Sequence, residues 1–127
     1  MDFVIALREN YDVALPQYFG LHGYVEEWIT ASQLNYWWSG TKRIIEQVGV
    51  YQIVELWITE FADTTGDTKS FEDLLQIMQS NPYITKYAYF TNRYDPGAAY
   101  IPQGWHDFNL INGDGSLSPM GEVYKVN

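Results

Sequence analysis

Apolar and polar positions change period most clearly between residues 54 and 78. Val54-Glu55-Leu56-Trp57-Ile58-Thr59-Glu60-Phe61 gathers β-branched, aromatic and apolar residues into a strand-length run. A polar loop over 62–70 follows, and then Phe71, Leu74, Leu75 and Met78 recur at helical spacing up to Asn81-Pro82, where proline cannot continue a helix. Upstream, Phe3-Val4-Ile5-Ala6-Leu7 reads as a short buried strand that breaks into the polar cluster Arg8-Glu9-Asn10-Tyr11-Asp12. Residues 13–23, with Pro16, Gly20 and Gly23, read as an irregular loop. Tyr24, Val25, Trp28, Ile29 and Leu34 then recur at helical spacing, and Ser39-Gly40-Thr41 reads as the start of a separate helix over 41–48, which Gly49 can terminate. Residues 83–91 are rich in β-formers and make a third strand. After the turn at 112–116, Ser118 reads as a helix cap, with Pro119 at the first helical position.

This order predicts an α/β chain. Residues 3–7, 54–60 and 86–91 are expected as adjacent parallel strands with helices 41–48 and 71–80 on one outer side, joined by right-handed crossovers. No repeat, low-complexity tract or linker interrupts it, so residues 1–127 read as one unit. A strand that ends in a carboxylate and is followed by a loop and a helix is the unit with which α/β barrels hold catalytic groups at the C-terminal mouth. Glu60 is therefore the leading candidate for a chemical role and is expected to be buried at that rim. The same position also suits an ordinary strand-end glutamate that caps a loop or is solvated.

Composition narrows the ligand. The chain has 127 residues, well short of the roughly 250 usual for a complete eight-stranded barrel. Its formal charge is −9, with 7 Lys and Arg scattered among 16 acids, so no basic stripe is present for a nucleic acid. Aromatic residues make up 17%, including 11 Tyr and 5 Trp, a composition suited to neutral sugars that present C–H faces to rings and hydroxyls to carboxylates. The pair Trp37-Trp38 fits either a sugar-stacking wall or helix-to-barrel packing. There is no cysteine, which removes disulfides and thiolate chemistry. No apolar run reaches the roughly 18 residues of a membrane span, so no membrane partner is expected. No export-signal pattern stands at the N-terminus, so any such signal is expected upstream.

Other chemistries find little support. His22 and His106 lie far apart without a spaced ligand partner, Asn112-Gly113-Asp114-Gly115 lacks the ligand spacing of a calcium loop, and neither a Gly-x-Ser-x-Gly elbow nor a phosphate-cradling glycine loop is present. No metal and no cofactor are expected. What remains is carboxylate chemistry among aromatics. Glycoside hydrolysis uses two carboxyl groups, about 5 Å apart in retaining enzymes and wider in inverting ones. Glu60 is one candidate. Glu9 is the next, with Asp12, Asp63 and Asp95 behind it.

Leu56-Trp57-Ile58-Thr59-Glu60-Phe61, then Tyr87-Ala88-Tyr89-Phe90, then residues 110–124 (from Leu110-Ile111-Asn112-Gly113 to Glu122-Val123-Tyr124) resemble the C-terminal part of the glycosyl hydrolase catalytic core of glycoside hydrolase family 128. The resemblance covers residues 54–124 and is loose before residue 50. It implies the last three strand–helix units of a retaining (β/α)8 TIM-barrel glycosidase acting on β-1,3-glucan, with an extracellular or cell-wall location. Glu60, at the end of the seventh barrel strand, would be the nucleophile. Tyr89 would stand where the family has a stacking tryptophan, and Trp105 and Tyr11 are the other candidate substrate-binding aromatics. The family's His-Trp-Tyr cluster after the sixth strand falls on residues 7–11, where it is not found. The general acid, carried in an Asn-Glu pair after the fourth strand, has no counterpart. The isolated chain is therefore expected to be inactive, with a further segment or another chain completing the barrel. A non-catalytic carbohydrate-binding or structural module derived from such a barrel is the alternative.

Overall fold

A computed structural model of the protein describes residues 18–47, 55–93 and 108–127. Three parallel strands alternate with helices: β1 (Tyr18–Val25), α1 (Ala31–Gln47), β2 (Glu55–Asp63), α2 (Thr68–Ser80), β3 (Ile84–Tyr89) and α3 (Pro119–Val126). The sheet order is β1-β2-β3, each strand parallel to the next. Parallel neighbours need a crossover, and α1 and α2 supply it, as in barrel folds. α2 packs against both α1 and α3, so one face of the sheet is covered by helices.

The first strand differs from the sequence reading. Residues 18–25, expected as loop and helix, form β1; the expected strand at 3–7 lies outside the described residues. In β1, Phe19, Leu21, Gly23 and Val25 alternate with Tyr18, Gly20, His22 and Tyr24. Its glycines mark close approach rather than a turn. A Cβ on Gly23 would lie 2.4 Å from Cζ2 of Trp38 in α1, and one on Gly20 would lie 3.2 Å from the methyl of Thr59.

α1 is one helix of 17 residues, so Ser39-Gly40-Thr41 lies inside it rather than at its start. Ala31, Leu34, Trp38 and Lys42 are buried at helical spacing, and Lys42 Nζ sits 4.0 Å from the centre of the Tyr83 ring. Asn81, at the end of α2, ties the two helices by donating to Asn35 Oδ1 at 2.7 Å. This tertiary anchoring outweighs the roughly 1 kcal/mol that an interior glycine costs a helix. The Trp37-Trp38 pair is divided: Trp38 is 3% exposed in the core and Trp37 is 49% exposed.

α2 begins at Thr68, capped by Asp67, whose side chain accepts from the Lys69 and Ser70 amides. It buries Phe71, Leu74, Leu75 and Met78. α3 starts as the sequence predicts: Ser118 accepts from Gly121 N at 3.0 Å, donates to the Asn109 carbonyl, and is followed by Pro119. An aromatic cluster fills the space between sheet and helices, with Phe61 at 5.2 Å from Tyr89 and 6.3 Å from both Phe71 and Tyr124. No helix among the described residues is long and apolar enough to cross a membrane.

Candidate active site

Glu60 owes its position to an extra residue in β2. Leu56 and Ile58 point into the helix layer, and strict alternation would send Glu60 after them. The register prevents this. Leu21 pairs with Ile58 but His22 pairs with Glu60, and on the other side Ile58 pairs with Tyr87 but Phe61 with Tyr89. β2 therefore carries one residue more than both neighbours, a bulge at Thr59 and Glu60. Beyond it Phe61 enters the helix layer at 0% exposure and Glu60 turns to the open face.

There the side chains of β1 meet it. The Tyr24 hydroxyl donates to Glu60 Oε2 at 2.6 Å, and His22 Nδ1 lies 3.5 Å from the same oxygen. Burial, reinforced by the hydrogen bond to Glu60 and by its charge, pushes the Tyr24 phenol well above its ordinary pKa. The phenol thus remains a donor throughout the neutral range and holds one carboxylate oxygen in place. The Tyr24 ring meets Phe90 edge-on at 5.6 Å, and Phe90 lies 6.3 Å from Phe108. Farther toward the start of the strands, Tyr18 packs on Trp57 at 4.9 Å and Lys86 Nζ lies 4.4 Å from the Trp57 ring.

Several sequence expectations are corrected here. Glu60 is not buried: its side chain is 38% exposed, because the strand runs on to Asp63 and no helix among the described residues covers the open face. Tyr89 faces the helix layer, where its ring packs on Phe61, Phe71 and Tyr124 and its hydroxyl donates to the Phe108 carbonyl at 2.5 Å. A sugar-stacking role does not fit that placement; Phe90, next in the chain, is the ring that approaches Tyr24. The neighbour preceding β2 in the sheet is β1, which brings His22-Gly23-Tyr24 beside Glu60; residues 7–11 lie outside the described residues. This part of β1 carries a histidine and a tyrosine, and Trp38 of α1 fills the space that a side chain at Gly23 would need.

Tyr11, Trp105, Glu9, Asp12, Asp95 and His106 lie outside the described residues. Asp63 is fully buried at the end of β2, where Oδ1 accepts from the Thr65 amide at 2.9 Å and shapes the turn into α2. Among the described residues, the polar partners of the Glu60 carboxylate are Tyr24 and His22, and no group of three metal-ligating side chains occurs. A groove of about 640 Å³ between α1 and α2, lined by Thr30, Asp67, Lys69 and Asp73, does not include Glu60.

Comparison with known proteins follows the same lines. The family model described as glycosyl hydrolase catalytic core matches residues 19–124. A glycoside hydrolase family 128 (subgroup II) endo-β-1,3-glucanase from Sorangium cellulosum is 25% identical, with a TM-score of 0.53 over 85% of this chain and 40% of its own. A subgroup VI exo-β-1,3-glucanase of the same family from Aureobasidium namibiae shares the fold at 18% identity, with a TM-score of 0.52 over 95% of this chain and 56% of its own. The chain therefore spans 40% and 56% of the length of these two structures. No curated protein matches it.

Proposed function

The chain belongs to the glycosyl hydrolase catalytic core family, and from that premise we propose that it carries the nucleophile side of a retaining β-1,3-glucanase, with Glu60 as the nucleophile. The observation that carries this reading is the bulge in β2, which turns Glu60 onto the open face against the Tyr24 hydroxyl at 2.6 Å. In a barrel that face lines the interior and its upper end forms the mouth. The similarity to an endo-β-1,3-glucanase at 25% identity supports β-1,3-glucan as the substrate class.

In the proposed reaction a Glu60 oxygen attacks the anomeric carbon of a glucose unit as the glycosidic bond breaks, and water later releases the glycosyl ester. Tyr24 positions the carboxylate through Oε2, and His22 borders the same oxygen. The acid that protonates the leaving oxygen must stand about 5 Å from the nucleophile. Tyr24 and His22, the polar partners of Glu60 among the described residues, do not include it, so the remainder of the barrel supplies it. Chemistry run by two carboxyl groups needs no cofactor.

Laminarin hydrolysis by the complete barrel containing this chain tests the assignment. Glu60→Gln keeps the shape and removes the covalent step, so turnover should fall by several orders of magnitude. An activated 2-fluoro glucoside should also leave its sugar on the peptide containing Glu60. Near-normal hydrolysis by the variant, or a label on a different carboxylate, moves the role away from Glu60.

A further inference from the structure

We propose that Trp28 is a sugar-stacking platform at the rim of the Glu60 centre, holding a glucose unit of the bound glucan away from the bond being cleaved; this rests on the glucanase reading above. A site for a neutral glucan chain needs an aromatic face open to solvent, because the C–H face of a pyranose gains its contact area there. Among the described residues, the rings nearest Glu60 do not offer one. Tyr24 and Phe90 meet edge to face at 5.6 Å, and Phe90 lies against Phe108. Tyr89 belongs to the core cluster.

Four described aromatics are strongly exposed, and their places in the fold separate them. Tyr18 starts β1, at the end remote from the mouth, with its ring on Trp57. Tyr36 and Trp37 lie along α1, outside the sheet. Trp28 stands in the turn that directly follows β1, and is 70% exposed. Val25, the last residue of β1, pairs with Asp63, so this turn leaves the sheet at the same end as Glu60.

The turn is also held rigidly. Glu26 and Ile29 exchange both backbone hydrogen bonds, at 3.0 and 3.1 Å, leaving Glu27 and Trp28 as its tip. Ile29 packs against the hydrophobic core. Below the turn, the amide and the hydroxyl of Thr64 both donate to the Val25 carbonyl at 2.9 Å. Above it, the Thr30 amide donates to Gln33 Oε1 at 2.8 Å and the Gln33 amide donates back to Thr30 Oγ1. The backbone that carries the indole is thus ordered before a sugar arrives, which lowers the entropic cost of binding there. Glu26 and Glu27 beside it can accept hydroxyl hydrogen bonds and would repel an anionic polymer, which favours a neutral glucan.

The test follows the five indole N–H resonances of the ¹⁵N-labelled 127-residue chain during titration with laminarihexaose, with the Trp28 signal assigned by its loss in Trp28→Phe. The Trp28 signal should move, Trp28→Ala should weaken binding by about three- to tenfold, and Trp28→Phe should keep most of the affinity. If signals of residues around His22 and Glu60 respond while the Trp28 signal stays still, or if Trp28→Ala binds as tightly as the parent, the platform is overturned and the glucanase reading stands. If no signal responds to laminarihexaose, the platform is overturned, while the glucanase reading of the complete barrel is judged separately by laminarin hydrolysis with Glu60→Gln.

Discussion

The two faces of the sheet are made by residues that alternate in the chain but obey different physics. On the helix-covered face Leu56, Ile58 and Phe61 are fully buried, and the Tyr87 and Tyr89 rings pack on Phe61 at 5.7 and 5.2 Å. Their identity is set by volume and by removal from water. On the open face His22, Tyr24 and Glu60 are partly exposed and are held by directional contacts to one another. Adjacent residues such as Glu60 and Phe61 should therefore fail in opposite ways when changed: loss on the open face costs chemistry, and loss on the helix face costs the fold.

The strongest test of that contrast pairs those two neighbours. Glu60→Gln should abolish turnover of the complete barrel while leaving its thermal melting essentially unchanged. Phe61→Ala empties the centre of the aromatic cluster and should cost about 3–5 kcal/mol in urea unfolding. Equal loss of stability in both variants would erase the distinction. Gly23→Ala probes the boundary, since its new methyl would lie 2.4 Å from Trp38 Cζ2. Overpacking of this kind costs about 1–3 kcal/mol, and pairing it with Trp38→Phe should recover part of the loss. A strictly additive double variant would show that the two do not meet.

Tyr24→Phe should have the smallest effect. Removing its bond to Glu60 is expected to lower turnover by about tenfold, the scale of one hydrogen bond to a charged group. Its pH dependence has a definite sign. The folded phenol ionises well above the ordinary value of 10.0, so its contribution is complete below that pH and is lost as pH rises through the folded value. Unfolding measured at about pH 8 and 11 should therefore show a shallower alkaline loss in the phenylalanine variant than in the parent. Identical alkaline profiles would remove Tyr24 as the source.

These contrasts also explain which parts were legible in the sequence. β2, α2, β3 and α3 announce themselves through β-branched runs, helical spacing, Pro82 and the Ser118-Pro119 start. Glu60 stands out as the acid near the end of the strongest strand. β1 was hidden because Gly20 and Gly23 look like turn residues until Thr59 and Trp38 are seen beside them. With β1 unread, His22 and Tyr24 had no strand to stand on and Glu60 had no visible partners. The facing of Tyr89 is hidden for another reason. Facing in a strand is counted from its partners, and the bulges near Thr59 and Thr85 leave no local composition by which to count them.

The bulge in β2 makes chain length itself a carrier of information. Thr59 is exposed; its hydroxyl makes a long contact of 3.4 Å to the Leu21 carbonyl, and its methyl lies over Gly20. The bulge that absorbs it decides which of its two successors meets the open face and which the core. Without this residue Ile58, Glu60 and Phe61 would follow Leu21, His22 and Gly23 in unbroken alternation; with it, only the bulge keeps the carboxylate on the open face and the phenyl ring among the helices, and the same sequence laid flat in the ladder would exchange them.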